Sequence, residues 1–289
     1  MLICLAVVVV FVASVLIVRA MVGERAGIGM GPGIGLVEVK GPIIDSQETV
    51  HQLADFNESH MVKAVVLRID SPGGVVGPSQ EICAEVKRLA QKKKVIVSMG
   101  SVAASGGYYI AAPATKIYAN PGTITGSIGV LMKLSNFEGL MGKIGLKATT
   151  LKSGQFKDSG SPTRTMTKEE QAVLQGVIDN LHGQFVTAVA EGRKLPLEDV
   201  RKLADGRVYT GEQALALKLV DKIGTLQDAC NEAGRMAGIE GEPRVIRPPK
   251  KRRVLTDILA EEASSFLEAV ARKDGGWSIR YQVPDLGSD

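Results

Sequence analysis

The chain has 289 residues, of which 45% are hydrophobic and 4% are aromatic, and its formal net charge is +4. This length and apolar content are sufficient for the core of one α/β domain, while the modest charge, without a recognition motif, argues against nucleic-acid binding. Three cysteines without a CxxC pair and three scattered histidines argue against a disulfide framework and a zinc site.

The N-terminal segment is strongly apolar. Residues 2–18 contain no charged side chain, and Arg19 follows them. Seventeen uncharged, mostly apolar residues are just long enough for a membrane-spanning helix, and residues 20–22 can extend it. We therefore expect a transmembrane signal anchor over residues 1–22. A cleaved signal peptide is the alternative, but a basic start and a small-x-small cleavage site are both missing. Arg19 and Arg25 follow the apolar segment, and by the positive-inside rule they would place the domain in the cytoplasm. This conflicts with the location outside the cytoplasm that the family resemblance below implies, and a mis-assigned start codon would explain the conflict.

The segment that follows changes from glycine-rich to periodic. Residues 23–35 contain six glycines and predict a flexible tether. From residue 36 onward, strands alternate with helices. Strands are predicted at 36–39, 63–69, 95–99 and 115–119, and helices at 49–57, at 78–90 and after Ser105. This alternation predicts the α/β fold class, with parallel strands joined by crossover helices.

A glycine turn ends the predicted strand at 63–69. Its sequence is Asp70-Ser71-Pro72-Gly73-Gly74, which leaves backbone N–H groups free at the end of the strand. Such groups suit an oxyanion hole, and we assign the N–H groups of Gly73 and Gly106 to it. We expect Asp70 and Ser71 to shape the turn.

A serine follows the next strand, at 95–99. The surrounding residues, Ala103-Ala104-Ser105-Gly106-Gly107, are small enough for a substrate backbone to approach. A hydroxyl beside free N–H groups suits a nucleophile. A helix N-cap is the alternative role for Ser105.

A lone lysine lies further along, in Ser153-Gly154-Gln155-Phe156-Lys157-Asp158. Considered alone, it is a surface residue of a glycine- and serine-rich loop.

The longest predicted helix comes next, at 167–191, where Thr167 and Glu170 have the spacing of a capping box. Shorter helices are predicted at 197–204 and 226–237, and the glycine-containing segment 273–289 is predicted to be a mobile tail. The main domain therefore spans 36–272.

Together with Gly126-Ser127-Ile128-Gly129, these motifs give the chain a resemblance to the signal peptide peptidase A family, in its short, single-repeat form, over roughly residues 35–238. The resemblance implies a membrane-bound serine protease with the clp/crotonase superhelix of repeated ββα units. It implies Ser105 as the nucleophile, Lys157 as the general base and Ser127 as the residue that orients the lysine. It also implies a homo-oligomeric ring and a domain outside the cytoplasm.

The base is unusual for a serine nucleophile. Histidine is the common partner, but no histidine lies between Ser105 and His182. A lysine amine titrates near pH 10.4 in water, so it acts as a base only where burial disfavours the ammonium. Phe156 is an apolar neighbour of Lys157, while the carboxylate of Asp158 is expected to point away from the amine.

We therefore predict a membrane-anchored serine endopeptidase that cleaves apolar peptides and needs no cofactor or metal. By resemblance, its substrates are remnant signal peptides. One alternative is a crotonase-type acyl-CoA enzyme, which shares glycine-rich oxyanion turns but needs neither the serine–lysine pair nor an anchor. Another is a catalytically silent membrane scaffold that binds peptides.

The basic run Lys250-Lys251-Arg252-Arg253 is predicted to be solvated, or to contact anionic lipid headgroups.

Overall fold

The computed structural model describes residues 31–249 and 279–282. The predicted anchor at 1–22 and the basic run at 250–253 lie outside the described residues. Among the residues described, no helix is long and apolar enough to cross a membrane.

An eight-stranded, mostly parallel sheet forms the centre of the molecule. Its long strands are β1 (Gly33–Lys40), β2 (Val62–Ser71), β4 (Lys94–Ala104) and β5 (Lys116–Ala119), which lie side by side in that order and are all parallel. The shorter strands are β6 (Ile124–Gly126), β8 (Val208–Thr210), β9 (Lys222–Ile223) and β10 (Val245–Ile246). Within this sheet, as far as the structure describes it, only the pairing of β6 with β8 is antiparallel. The predicted parallel α/β fold is confirmed.

Eight helices are present among the described residues. They are α1 (Gln47–Glu58), α2 (Val76–Lys92), α3 (Gly106–Ala111), α4 (Glu138–Lys143), α5 (Lys168–Arg193), α6 (Leu197–Leu203), α7 (Gly211–Ala216) and α8 (Leu226–Met236). The predicted capping box begins α5, since the Thr167 hydroxyl accepts from the Glu170 N–H at 3.2 Å and the Glu170 carboxylate accepts from the Thr167 N–H at 3.0 Å.

Both faces of the sheet are covered, which explains why its central strands are continuously apolar. In β2, Val65 and Leu67 pack into a large core that includes α1, α2 and α5, while Val66 between them packs towards α8. Continuous apolar runs are typical of parallel strands with helices on each side. Cys83 of α2 is buried in the larger core, and burial raises the pKa of its thiol to about 11.

The predicted tether at 23–35 is wrong over its last three residues, because β1 begins at Gly33. Ile34 is fully buried there. The flanking glycines provide space rather than flexibility: a Cβ on Gly35 would lie 2.4 Å from the Phe56 ring, and one on Gly33 would lie 2.5 Å from the Arg244 carbonyl oxygen. The chain can therefore pack closely against its neighbours on both sides of Ile34.

A second, three-stranded sheet lies apart from the first. In it, β11 (Ile279–Gln282) lies between β3 (Gly73–Val75) and β7 (Leu131–Met132) and is antiparallel to both. The prediction of a mobile tail at 273–289 therefore differs from the structure over four residues. The physical reason is that β3 and β7 each present an open backbone edge, which an extended segment can pair with.

Candidate active site

Ser105 occupies a sharp turn between a strand and a helix. The strand β4 continues to Ala104, five residues beyond the predicted strand, and α3 begins at Gly106, so the turn consists of Ser105 itself. Its φ of 54° and ψ of −119° are rare for a residue with a Cβ. Such a conformation costs about 1–3 kcal/mol and persists only where neighbouring contacts enforce it. Here the Ser105 N–H donates to the Gly126 carbonyl oxygen at 2.8 Å.

The side chain of Ser105 is fully buried, and its Oγ has no hydrogen-bond partner among the described residues. The alternative role as a helix cap is wrong, because the hydroxyl makes no capping hydrogen bond to α3. A buried hydroxyl without a partner is costly in a purely structural position. Its strained backbone and free oxygen therefore fit a nucleophile.

The two predicted oxyanion residues lie in contacting turns. A Cβ on Gly106 would lie 3.3 Å from the Gly73 Cα and 3.2 Å from the Gly74 nitrogen. The N–H of Gly106 is the first of α3, where helical N–H groups have no partner within the helix. The N–H of Gly73, in contrast, is not free as the sequence predicts, because it donates to the Ser71 Oγ at 3.1 Å. The structure thus places the Gly73 turn beside the start of α3.

Asp70 and Ser71 hold this region in shape, as expected. The Asp70 carboxylate accepts from the Val102 N–H at 3.1 Å, which ties the end of β2 to β4. Ser71 is fully buried. Its carbonyl oxygen would lie 2.9 Å from a Cβ on Gly107, so only glycine fits there without displacement.

Ser127 lies next to Ser105 because their strands are neighbours. The register of β4 and β6 pairs Ala104 with Gly126, and each serine follows immediately. Ser127 is buried and has a φ of 50°. Its N–H donates to the Arg207 carbonyl oxygen at 2.8 Å, which fixes the turn. The end of β6 is therefore as constrained as the end of β4.

Lys157, in contrast, lies on an exposed loop. Its N–H donates to the Gly154 carbonyl oxygen at 3.2 Å, within a succession of turns. The neighbouring Phe156 is 43% exposed. Large apolar side chains are also exposed along the preceding segment, namely Leu134, Phe137, Leu140, Ile144, Leu146 and Leu151. The single chain therefore does not bury the lysine.

The carboxylate of Asp158 is bound by Arg164, whose Nε donates to it at 2.7 Å. Arg164 also donates to both carboxylate oxygens of Glu170, at 2.9 and 2.6 Å. These hydrogen bonds lower the pKa of Glu170 to about 2. No sequence pattern singles out Arg164, and the capping-box spacing of Thr167 and Glu170 is the signal near it.

The Nε2 of His182, on α5, lies 2.8 Å from the Ala204 carbonyl oxygen, so this ring has a structural contact. No group of three or more metal-binding side chains occurs in the ranges 31–249 and 279–282.

The strand β11 pairs with the Gly73 turn and contacts the helix that follows Ser105. Its Gln282 lies opposite Gly73, its Tyr281 opposite Gly74 and its Arg280 opposite Leu131 of β7. The helix α3, which begins immediately after Ser105, packs against the same strand. An extended peptide segment therefore occupies the space between β3 and β7, which we call the slot.

Comparison with known sequences places these motifs in one family. The pattern of Peptidase family S49 matches residues 87–240, which include Ser105, Ser127 and Lys157. The chain belongs to peptidase family S49. It is therefore a serine peptidase, as the resemblance to the signal peptide peptidase A family implied.

Several relatives resemble this S49 peptidase over most of its length. A protein named as a protease from Synechocystis is 46% identical over 208 residues, which cover 72% of this chain and 75% of that protein. A protein named as the signal peptide peptidase SppA from Enterococcus faecium is 41% identical over 184 residues, or 63% of this chain and 54% of the relative. The chloroplastic serine protease SPPA from Arabidopsis thaliana is 33% identical over 246 residues, or 84% of this chain and 36% of the longer plant protein.

Proposed function

We propose that this S49 peptidase is a membrane-anchored endopeptidase that cleaves apolar peptides, in particular remnant signal peptides, with a Ser105–Lys157 dyad. The observation that carries the proposal is the extended strand beside the strained Ser105. Because β11 pairs through backbone groups with β3 and β7, the slot suits any extended peptide. The name of the Enterococcus relative supports signal peptides as the substrate class.

In the proposed mechanism, the neutral amine of Lys157 removes the proton from the Ser105 Oγ as this oxygen attacks the peptide carbonyl carbon. The N–H of Gly106 stabilises the oxyanion that forms, and the N–H of Gly73 joins it after releasing the Ser71 Oγ. The lysine ammonium then protonates the leaving amine, and water hydrolyses the acyl-enzyme in the reverse sequence. The Ser127 hydroxyl accepts a hydrogen bond from the lysine and orients it. No step requires a cofactor or metal.

The proposal includes a homo-oligomeric ring. An exposed lysine is protonated at neutral pH, so a lysine base needs a cover that excludes water. The exposed apolar side chains at 134–156 lie on the segment leading to Lys157, and exposed apolar patches of this kind mark protein contacts. A neighbouring subunit on this segment would remove water from the lysine. The repeated ββα superhelix of the clp/crotonase group is the finer fold that the family resemblance suggests.

The proposed anchor makes a prediction for cell fractionation. The full chain is expected to stay in the membrane pellet after alkaline carbonate washing, whereas a chain without residues 1–22 is expected in the supernatant, because this segment would provide the membrane-spanning helix. Protease added to intact spheroplasts is expected to digest the domain. Complete protection would contradict a domain outside the cytoplasm and favour the orientation suggested by Arg19 and Arg25.

The strand in the slot makes a second prediction. Deletion of residues 273–289 should lower the apparent KM for a peptide substrate by about tenfold, with kcat unchanged, if the segment fills roughly nine-tenths of the sites. Deletion of 283–289 alone leaves β11 in place and should keep the original KM. Initial rates over a range of peptide concentrations provide the measurement. An unchanged KM in both variants would contradict the proposal that β11 occupies the substrate slot.

The proposed function is tested by incubating the full chain, in detergent, with a synthetic apolar signal peptide and with an acyl-CoA. Mass spectrometry is expected to detect peptide fragments and unchanged acyl-CoA. Turnover of the acyl-CoA alone would support the crotonase-type alternative. Peptide binding without cleavage would support the scaffold.

A further inference from the structure

Arg164 is the centre of a hydrogen-bonded cluster next to Lys157. Its Nε donates to the Asp158 carboxylate at 2.7 Å, and its Nη2 donates to the Asp158 backbone carbonyl oxygen at 2.7 Å. The same guanidinium holds Glu170 through two further bonds, at 2.6 and 2.9 Å. Its planar fork thus binds both the side chain and the backbone of the residue that follows the lysine.

The other end of the cluster is rigid. Glu170 is only 2% exposed, and its carboxylate also accepts from the N–H of Thr167 in the capping box of α5. The side chains of Arg164 and Asp158 are 29% and 17% exposed, so this pairing is partly shielded from water. The Arg164–Glu170 pair is bidentate, and bidentate or partly shielded pairs are stronger than ordinary surface ion pairs. Arg164 therefore fastens the lysine loop to the first turn of α5.

The pairing also has an electrostatic consequence. A free carboxylate beside a lysine favours the ammonium form and so opposes its use as a base. Asp158 is adjacent to Lys157 in the chain, but its charge is directed to Arg164. Two more charged groups face the cluster: the Lys152 amine lies 4.0 Å from the Glu170 carboxylate, and Glu138 accepts from the Thr165 hydroxyl at 2.7 Å.

We propose that Arg164 is a positioning residue for the lysine base: it holds the Asp158 carboxylate away from Lys157 and fixes the lysine loop to α5. This proposal rests on the proposed function, in which Lys157 is the general base. Arg164 itself touches neither the substrate nor the reacting atoms.

The test compares pH profiles of kcat/KM for the full chain and for the variants Arg164→Met, Asp158→Asn and Arg164→Met/Asp158→Asn. In these profiles kcat/KM rises with pH along one limb, and we expect Asp158→Asn to leave the pH of that limb unchanged. Arg164→Met should move that limb to higher pH by about one unit and lower the rate near neutrality by about tenfold, since one pH unit is a factor of ten in the neutral fraction. Adding Asp158→Asn should reverse most of the shift. Glu198→Gln, which removes the charge of an exposed carboxylate paired with Arg201 on α6, is the matched control and should leave the profile unchanged.

Two results would overturn the proposal. One is a lower rate for Arg164→Met at every pH with the limb unmoved, which indicates a structural role alone. The other is a shift of equal size with and without the Asp158 carboxylate. If circular dichroism shows that Arg164→Met is unfolded, Arg164→Lys replaces it, with a smaller shift in the same direction expected and the same reversal by Asp158→Asn. An active Lys157→Met variant would instead refute the dyad itself, so the two failures are distinguishable.

Discussion

Replacement of Ser105 by alanine should abolish peptide cleavage and leave the fold intact. The Oγ makes no hydrogen bond among the described residues, so its removal deletes no structural contact. The backbone contacts that enforce the turn, including the bond from the Ser105 N–H to the Gly126 carbonyl oxygen, do not involve the side chain. Loss of a nucleophile lowers kcat by roughly 10⁴-fold or more. Initial rates measure the loss, and circular dichroism and thermal melting check the fold.

The matched control is Ser101→Ala, which removes an exposed hydroxyl from the same strand β4. This variant should cleave peptide at the wild-type rate. Retained cleavage by folded Ser105→Ala would remove Ser105 from the mechanism.

Replacement of Lys157 by methionine should lose activity almost as completely as loss of the serine. Methionine keeps an unbranched stem of similar length but has no amine to accept the Ser105 proton. Lys157→Arg should fail as well, because a guanidinium stays protonated at every pH at which the protein is folded. In the wild-type protein, activity should rise with pH along one limb and peak above neutrality, since only the neutral amine is a base.

Lys202→Met is the control for this variant, because Lys202 is another exposed lysine, on α6 and outside the segment proposed to contact a neighbouring subunit. Its activity should be unchanged. If Lys157→Met kept more than about a tenth of the wild-type turnover, less than about 1.4 kcal/mol would be lost. That loss is too small for an essential base, and the dyad would have to be abandoned.

The sheet and the serine turn could be predicted because their signals are local. The apolar runs in β2 and β4 identify strands buried on both faces, and the small residues around Ser105 mark a sharp turn after the second. The proximity of Ser105 and Ser127 follows from two neighbouring parallel strands that end at the same edge. The glycines at 33–35 could not be interpreted from the sequence, because a flexible tether and a tightly packed strand both show this pattern.

Three features could not be predicted, namely the three-stranded sheet, the Arg164 cluster and the cover of Lys157, because no local sequence pattern encodes their contacts. The three-stranded sheet joins residues 73–75, 131–132 and 279–282, and strands this short carry no readable period. The Arg164 cluster joins Asp158 in the loop and Glu170 in the first turn of α5, and a spacing of six residues matches neither a helix nor a strand period. The cover that Lys157 requires would come from another chain, which a single sequence does not describe.

The central claim is that Ser105 is a nucleophile activated by Lys157. The most direct measurement is the rate at which a fluorophosphonate probe modifies the full chain, with the labelled peptide identified by mass spectrometry. The proposed dyad predicts a label on Ser105 in the wild-type protein, faster labelling at higher pH, and labelling of Lys157→Met slower by at least about tenfold. A label on another residue, or equal labelling rates in the wild-type protein and Lys157→Met, would contradict it.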